Sequence, residues 1–102
     1  MSKPKKHVFD DHDEWYFNGE LHREDGPAIE YINEYKEWYR HGKLHRENGP
    51  AVEWSSGTKF WYQNDERHRE DGPAVEFATG YKEYYLFGVE FIEEQYWKLV
   101  SP

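Results

Sequence analysis

Residues 15–37 read WYFNGELHREDGPAIEYINEYKE, residues 38–60 read WYRHGKLHRENGPAVEWSSGTKF, and residues 61–83 read WYQNDERHREDGPAVEFATGYKE. These three 23-residue copies align without insertion or deletion, and a shortened fourth, YYLFGVEFIEEQYWKLV, begins at Tyr84. A fixed period of this length marks a stacked repeat protein, in which one small supersecondary unit is laid beside the next along an axis. Such architectures present surface to partners more often than they enclose a reaction.

Each copy holds two turn signals. The first is Asn18-Gly19, then His41-Gly42, Asn64-Asp65 and Phe87-Gly88. Gly, Asn and Asp tolerate the positive φ of a type I′ hairpin turn, which predicts a two-residue turn in every unit. The second signal is Asn33-Glu34, Ser56-Gly57 and Thr79-Gly80. Between the turns run Glu24-Asp25-Gly26-Pro27 and its copies Glu47-Asn48-Gly49-Pro50 and Glu70-Asp71-Gly72-Pro73, with proline where a strand begins. Two-residue turns fix a register. They set Trp15 opposite His22, Tyr16 opposite Leu21 and Glu14 opposite Arg23, and in the third copy Arg69 opposite Phe60. A two-residue second turn places Ile29 beside Trp38, Val52 beside Trp61 and Val75 beside Tyr84. The rows Ile29–Trp38–His45 and Val52–Trp61–His68 then make a buried face, with the Glu and Arg rows wet.

The fold expected is all-β: an antiparallel meander of 23-residue β-hairpin repeats, a single twisted sheet or solenoid, capped by a short C-terminal helix. Residues 1–6 read as a flexible basic tail, 7–90 as the β-repeat domain with a cap strand at 7–14 and a partial unit at 84–90, and 91–102 as the capping helix. Ile92, Tyr96 and Leu99 form its apolar stripe, with Glu93 and Glu94 in the first turn and Lys98 in the last, as the helix dipole favours.

Only 36% of the 102 residues are hydrophobic and 33% are charged, which by itself points towards disorder. The aromatic fraction of 20% reverses that, because buried rings supply what aliphatic residues do not. The absence of cysteine excludes disulfides and thiolate metal sites. No apolar run approaches the ~20 residues of a membrane helix, and the basic start lacks the hydrophobic stretch of a secretory signal. A net charge of −8 makes direct nucleic-acid binding a poor fit, since that affinity rests on Lys and Arg neutralising phosphates. The same acidity is also the surface of a phosphate mimic.

Trp15, Trp38, Trp61, His22, His45 and His68 are expected to form a structural ladder, with imidazole packed against indole. Rungs one repeat apart cannot converge on one metal ion, whose ligands lie about 2.0–2.1 Å away. Tyr16, Tyr39, Tyr62 and Tyr85 fall on the opposite face, where Tyr beside charge suits a protein interface. The candidate contact residues are therefore these four tyrosines with Arg67, Arg69, Glu30, Glu53 and Glu76. Arg69 is expected to be the freest arginine. No nucleophile–base pair or phosphate-cradling loop is present, so neither catalytic nor cofactor nor metal residues are assigned, and the reading is non-enzymatic.

The unit Trp-Tyr-x-Asn-Gly-x-x-His-Arg-x-Asp-Gly-Pro-Ala, carried here by Phe17-Asn18-Gly19 and the three His-Arg-Glu-Asp/Asn-Gly-Pro-Ala stretches, resembles a repeat in proteins of tailed bacteriophages and giant viruses. It is similar to a distant variant of the MORN repeat, without that repeat's usual Tyr-x-Gly pattern. The resemblance implies a meandering antiparallel sheet, a viral origin and a binding role in the cytoplasm of an infected cell. The expected function is a non-catalytic module that binds a host protein, for example as inhibitor or decoy of a defence factor. A His/Arg/Trp site for a nucleotide or other anion, and a self-assembling or virion-associated homo-oligomer, are the alternatives.

Overall fold

The computed structural model describes residues 3–101. Met1, Ser2 and Pro102 lie outside the described residues. The chain enters along β1 (Lys5–Val8) and returns along β2 (His12–Phe17). The Asn18-Gly19 turn leads into β3 (Glu20–Leu21), and the His22–Pro27 loop then leads to the hairpin of β4 (Ile29–Tyr31) and β5 (Lys36–Glu37). From here the cycle repeats. A side hairpin, β6 (Tyr39–Arg40) with β7 (Lys43–Leu44), precedes a main-sheet hairpin, β8 (Val52–Glu53) with β9 (Lys59–Phe60). Next come β10 (Tyr62–Gln63) with β11 (Glu66–Arg67), and β12 (Val75–Glu76) with β13 (Lys82–Leu86). The chain closes with β14 (Val89–Phe91) and helix α1 (Glu93–Val100).

Every strand pair is antiparallel, and the main sheet runs β1-β2-β4-β5-β8-β9-β12-β13-β14, with β3 also on β2. The all-β meander with one short terminal helix is therefore the observed fold. It has a second file. The side hairpins lean on one another: Arg23 N–H donates to Tyr39 C=O at 3.2 Å, Gly42 to Leu21 at 2.8 Å and Gly88 to Arg67 at 2.8 Å. Main sheet and side file meet along a seam, where Trp15, Trp38 and Trp61 donate to the carbonyls of Ala28, Ala51 and Ala74 at 2.7–2.8 Å.

The seam is the core. Ala28, Ala51 and Ala74 are wholly buried, beside Val52, Val75 and the three imidazoles of His22, His45 and His68. The molecule measures 44 × 31 × 17 Å, too thin for a deep interior between two sheets about 10 Å apart that also need covering. Small side chains at the seam let backbones approach, and each buried valine contributes about 1.5–3 kcal/mol.

All four first turns have the expected geometry, with paired positive φ values such as 51° and 80° at Asn18-Gly19 and 50° and 69° at Asn64-Asp65. The second turn differs. Tyr31 N–H bonds Tyr35 C=O at 2.9 Å and Glu34 N–H bonds Tyr31 C=O at 3.0 Å. Glu34 takes φ 72°, as Gly57 and Gly80 do at 100° and 97°. This is a three-residue loop, a tight turn closed by one left-handed residue. The extra residue slips the register by one, so Ile29 pairs with Glu37, Val52 with Phe60 and Val75 with Glu83. The expected pairs of Ile29 with Trp38, Val52 with Trp61 and Val75 with Tyr84 do not form. A slip of one exchanges the faces of a strand.

The ends depart from expectation too. Lys5 and Lys6, assigned above to a basic tail, belong to β1 and pair with Tyr16 and Trp15. Phe91 is in β14, and the helix starts at Glu93. Of the expected stripe only Tyr96 is buried; Ile92 and Leu99 are 65% and 60% exposed. The Tyr96 hydroxyl donates to the Arg69 carbonyl and accepts from Gly72 N–H at 3.1 Å, so one ring closes the stack.

Candidate binding face

The slipped register sorts the main sheet into two unlike faces. Directly paired residues share a face, and residues two apart on a strand do also. One row therefore runs Glu14–Ile29–Glu37–Val52–Phe60–Val75–Glu83 across the sheet. The row on the opposite face runs Asp13–Glu30–Lys36–Glu53–Lys59–Glu76–Lys82, with signs alternating from Glu30 onward. Three of the four carboxylates in this row already hold a cation from outside it: Asp13 lies 3.5 Å from Lys6, Glu53 2.8 Å from Arg46 and Glu76 2.9 Å from Arg69.

On the first face each carboxylate stands between two rings. Glu14 accepts from Tyr16 at 2.8 Å and meets His12 Nε2 at 2.8 Å. Glu37 accepts from Tyr39 at 3.0 Å and also from Tyr35, and Glu83 accepts from Tyr85 at 3.3 Å. The hydrogen bond from Tyr16, with a smaller one from His12, holds the Glu14 carboxyl below its ordinary range against an opposing desolvation. Burial, with Glu37 adding to it, pushes the Tyr35 and Tyr39 hydroxyls well above theirs. Hydrogen bonds to Asp11 and then Glu14 raise the His12 imidazole. Along each row a phenol hydroxyl donates to a carboxylate oxygen two residues away.

The third unit breaks the pattern in a coupled way. Phe60 replaces the glutamate and Arg67 replaces the leucine opposite Tyr62. The Arg67 guanidinium donates to the Tyr62 hydroxyl at 3.3 Å and to Tyr85 at 3.2 Å, and lies 5.4 Å from the Phe60 ring. One cation thus ties the last two tyrosines.

Beyond these rows, rings at the tips of the main-sheet hairpins extend the same face. Phe9, His12 and Tyr31 stack at 4.7 and 4.5 Å between centroids, Tyr35 contacts Trp54 at 4.3 Å, and Phe77 lies 5.8 Å from Tyr81. Trp54 is 49% exposed and Tyr81 60%. These tip residues were absent from the sequence-derived set. Their signal was the same 23-residue period, with an aromatic at 31, 54 and 77.

The sequence-derived set divides between surfaces. Tyr16, Tyr39, Tyr62, Tyr85 and Arg67 share the ring face, all half-buried, whereas Glu30, Glu53 and Glu76 sit on the Glu/Lys face. Arg69 belongs with neither as a free cation. Its guanidinium lies 3.9 Å from the Trp61 ring, donates to Asp71 at 3.0 Å, to Glu76 at 2.9 Å and to the Pro73 carbonyl at 3.0 Å. Arg46 repeats this over Trp38 with Glu53, and Arg23 over Trp15 with Asp25 rather than with the expected Glu14. Each guanidinium is pressed between an indole and a glycine: a Cβ on Gly26, Gly49 or Gly72 would come within 2.9 Å of the arginine Cζ. An anion reaching these arginines must displace carboxylates already in contact.

The histidines also differ from expectation. They partner the next unit rather than indole. His22 Nδ1 accepts the His41 amide at 2.8 Å, His45 that of Asn64 at 3.1 Å and His68 that of Phe87 at 2.9 Å. An amide only donates, so Nδ1 carries no proton and Nε2–H is free to meet Glu24 at 3.1 Å and Glu47 at 2.9 Å. Among the described residues no group of three or more His, Asp and Glu converges on a possible metal position, and no helix is long and apolar enough to cross a membrane.

No family model matches this sequence, no curated protein matches it, and no solved structure matches its fold.

Proposed function

We propose that the protein is a non-catalytic binding module whose ring-and-carboxylate face engages a basic surface of a protein partner. One observation carries the reading: the rows His12–Glu14–Tyr16, Tyr35–Glu37–Tyr39 and Tyr81–Glu83–Tyr85 fall in register with the 23-residue period, interrupted by Thr58–Phe60–Tyr62, and a hydroxyl donates to the carboxylate in each. Pre-ordered tyrosines with half-exposed Trp54 and Tyr81 beside them are the side chains that dominate protein interfaces, and they lose little rotamer freedom on binding. Carboxylates between the rings favour a cationic partner and reject an anionic one. The viral resemblance extends this to a protein of the infected cell as partner, met in its cytoplasm, with inhibition or decoy as the role.

The test is affinity capture from host lysate with wild type, a Trp54→Ala/Tyr81→Ala variant and a Lys98→Ala control. A specific partner is expected with wild type and control and lost with the face variant. A partner retained by the face variant, or none with any of them, overturns the assignment.

A further inference from the structure

The first unit differs from the others in what its side hairpin leans on. In units two to four the first residue of the type I′ turn donates its amide to the preceding imidazole, at His41, Asn64 and Phe87. The second turn residue donates to the preceding Leu21, Leu44 or Arg67 carbonyl, at Gly42, Asp65 and Gly88. Among the described residues the amides of Asn18 and Gly19 meet no acceptor. Beside this turn the described residues leave an open groove of about 730 Å³.

The groove's other wall is β1, all four of whose residues are exposed and which pairs only with β2 among the described strands. Lys3, Lys5 and His7 line it with Phe9, Tyr16 and Phe17. Three cationic or titratable basic side chains therefore gather on a chain of net charge −8. The one carboxylate lining the groove, Glu14, is already held by His12 and Tyr16. Unpaired turn amides call for carbonyls, the basic wall calls for carboxylates, and the rings offer apolar contact. An extended segment supplies main-chain carbonyls along one edge and side chains at alternate positions.

We infer that this groove is a docking site for an extended acidic segment of a separate protein, laid between β1 and the first turn. Backbone carbonyls take the Asn18 and Gly19 amides, carboxylates meet Lys3, Lys5 and His7, and an aromatic side chain lies against Phe17. The groove borders the ring-and-carboxylate face, sharing Phe9, Glu14 and Tyr16 with it, and its basic wall selects the opposite partner charge.

The probe is a fluorescein-labelled, acetylated peptide of alternating glutamate and phenylalanine, titrated by anisotropy against its lysine-substituted counterpart. The acidic peptide is expected to bind and the basic one not. Lys3→Glu/Lys5→Glu, on exposed side chains, should weaken binding tenfold or more with an unchanged near-ultraviolet dichroism spectrum. Amide shifts of Asn18 and Gly19 should move with peptide, and Trp54→Ala/Tyr81→Ala should bind normally. Equal affinity for both peptides, or indifference to the lysine variant, overturns the proposal. Sedimentation showing a dimer that this variant dissociates overturns it in favour of a second copy as occupant.

Discussion

The seam and the ring face are built from the same three copies but treat them differently. Along the seam Trp, His, Arg, Gly and Ala recur unchanged in all three full units, and so do their contacts: indole under guanidinium at 3.8–3.9 Å, imidazole on the next amide at 2.8–3.1 Å. On the face the equivalent positions read His12, Tyr35, Thr58, Tyr81 and Glu14, Glu37, Phe60, Glu83. Repetition thus resides where units touch each other, and variation where the molecule meets its surroundings. In a stack whose stability is a sum of unit and neighbour terms, a defect at the junction weakens two units at once.

Breaking the seam should therefore have the largest effect. His45→Ala leaves the Asn64 amide without its acceptor and empties a buried site, at a cost of about 2–4 kcal/mol in urea unfolding. A loss below about 1 kcal/mol would remove the seam's privilege. Gly49→Ala sets a methyl 2.9 Å from the Arg46 guanidinium, which must swing off the Trp38 ring to admit it, and should cost about 0.5–1 kcal/mol in the same assay. At a tip of the face the sign should reverse. Glu34, at φ 72° where later copies place glycine, is an exposed residue in a conformation that glycine adopts freely. Glu34→Gly should stabilise by about 0.5–1 kcal/mol in the same assay.

The smallest effect concerns pH and His12. Its imidazole is held above the ordinary value of about 6.5 by Asp11 and then Glu14. A raised folded value means its contribution is fully present below about pH 6.5 and fades as pH climbs through that raised value. Asp11 and Glu14, both lowered, contribute above about pH 4 and lose their contribution on acidification. An NMR titration of the His12 ring checks the direction, and His12→Gln should flatten the decline in stability on the alkaline side.

The period, the type I′ turns and the terminal helix were legible because each rests on local chemistry: Asn-Gly needs no distant partner to adopt positive φ. The second turn was not, because Asn33-Glu34 reads as a two-residue turn until Glu34 is seen in the left-handed position that Gly57 and Gly80 hold. One residue of loop length then exchanged the faces at each main-sheet hairpin, whereas the side hairpins kept the expected pairs Tyr39 with Leu44 and Tyr62 with Arg67. The arginines were misplaced for a related reason. Strand alternation was carried through His22-Arg23, but β3 ends at Leu21, and past it the chain curls so that Arg23 folds back onto Trp15. The candidate surface was accordingly half legible. The four tyrosines and Arg67 do share a face, whereas Glu30, Glu53, Glu76 and Arg69 answer to partners that only the tertiary path brings near.

No unit completes its own interior: each imidazole waits for an amide 19 residues further along. A duplicated 23-residue block would therefore join without new design, finding an acceptor behind it and a donor ahead. Every such block adds two main-sheet strands, hence about 9–10 Å of length. Gene duplication would thus lengthen the molecule in fixed increments without adding to its thickness.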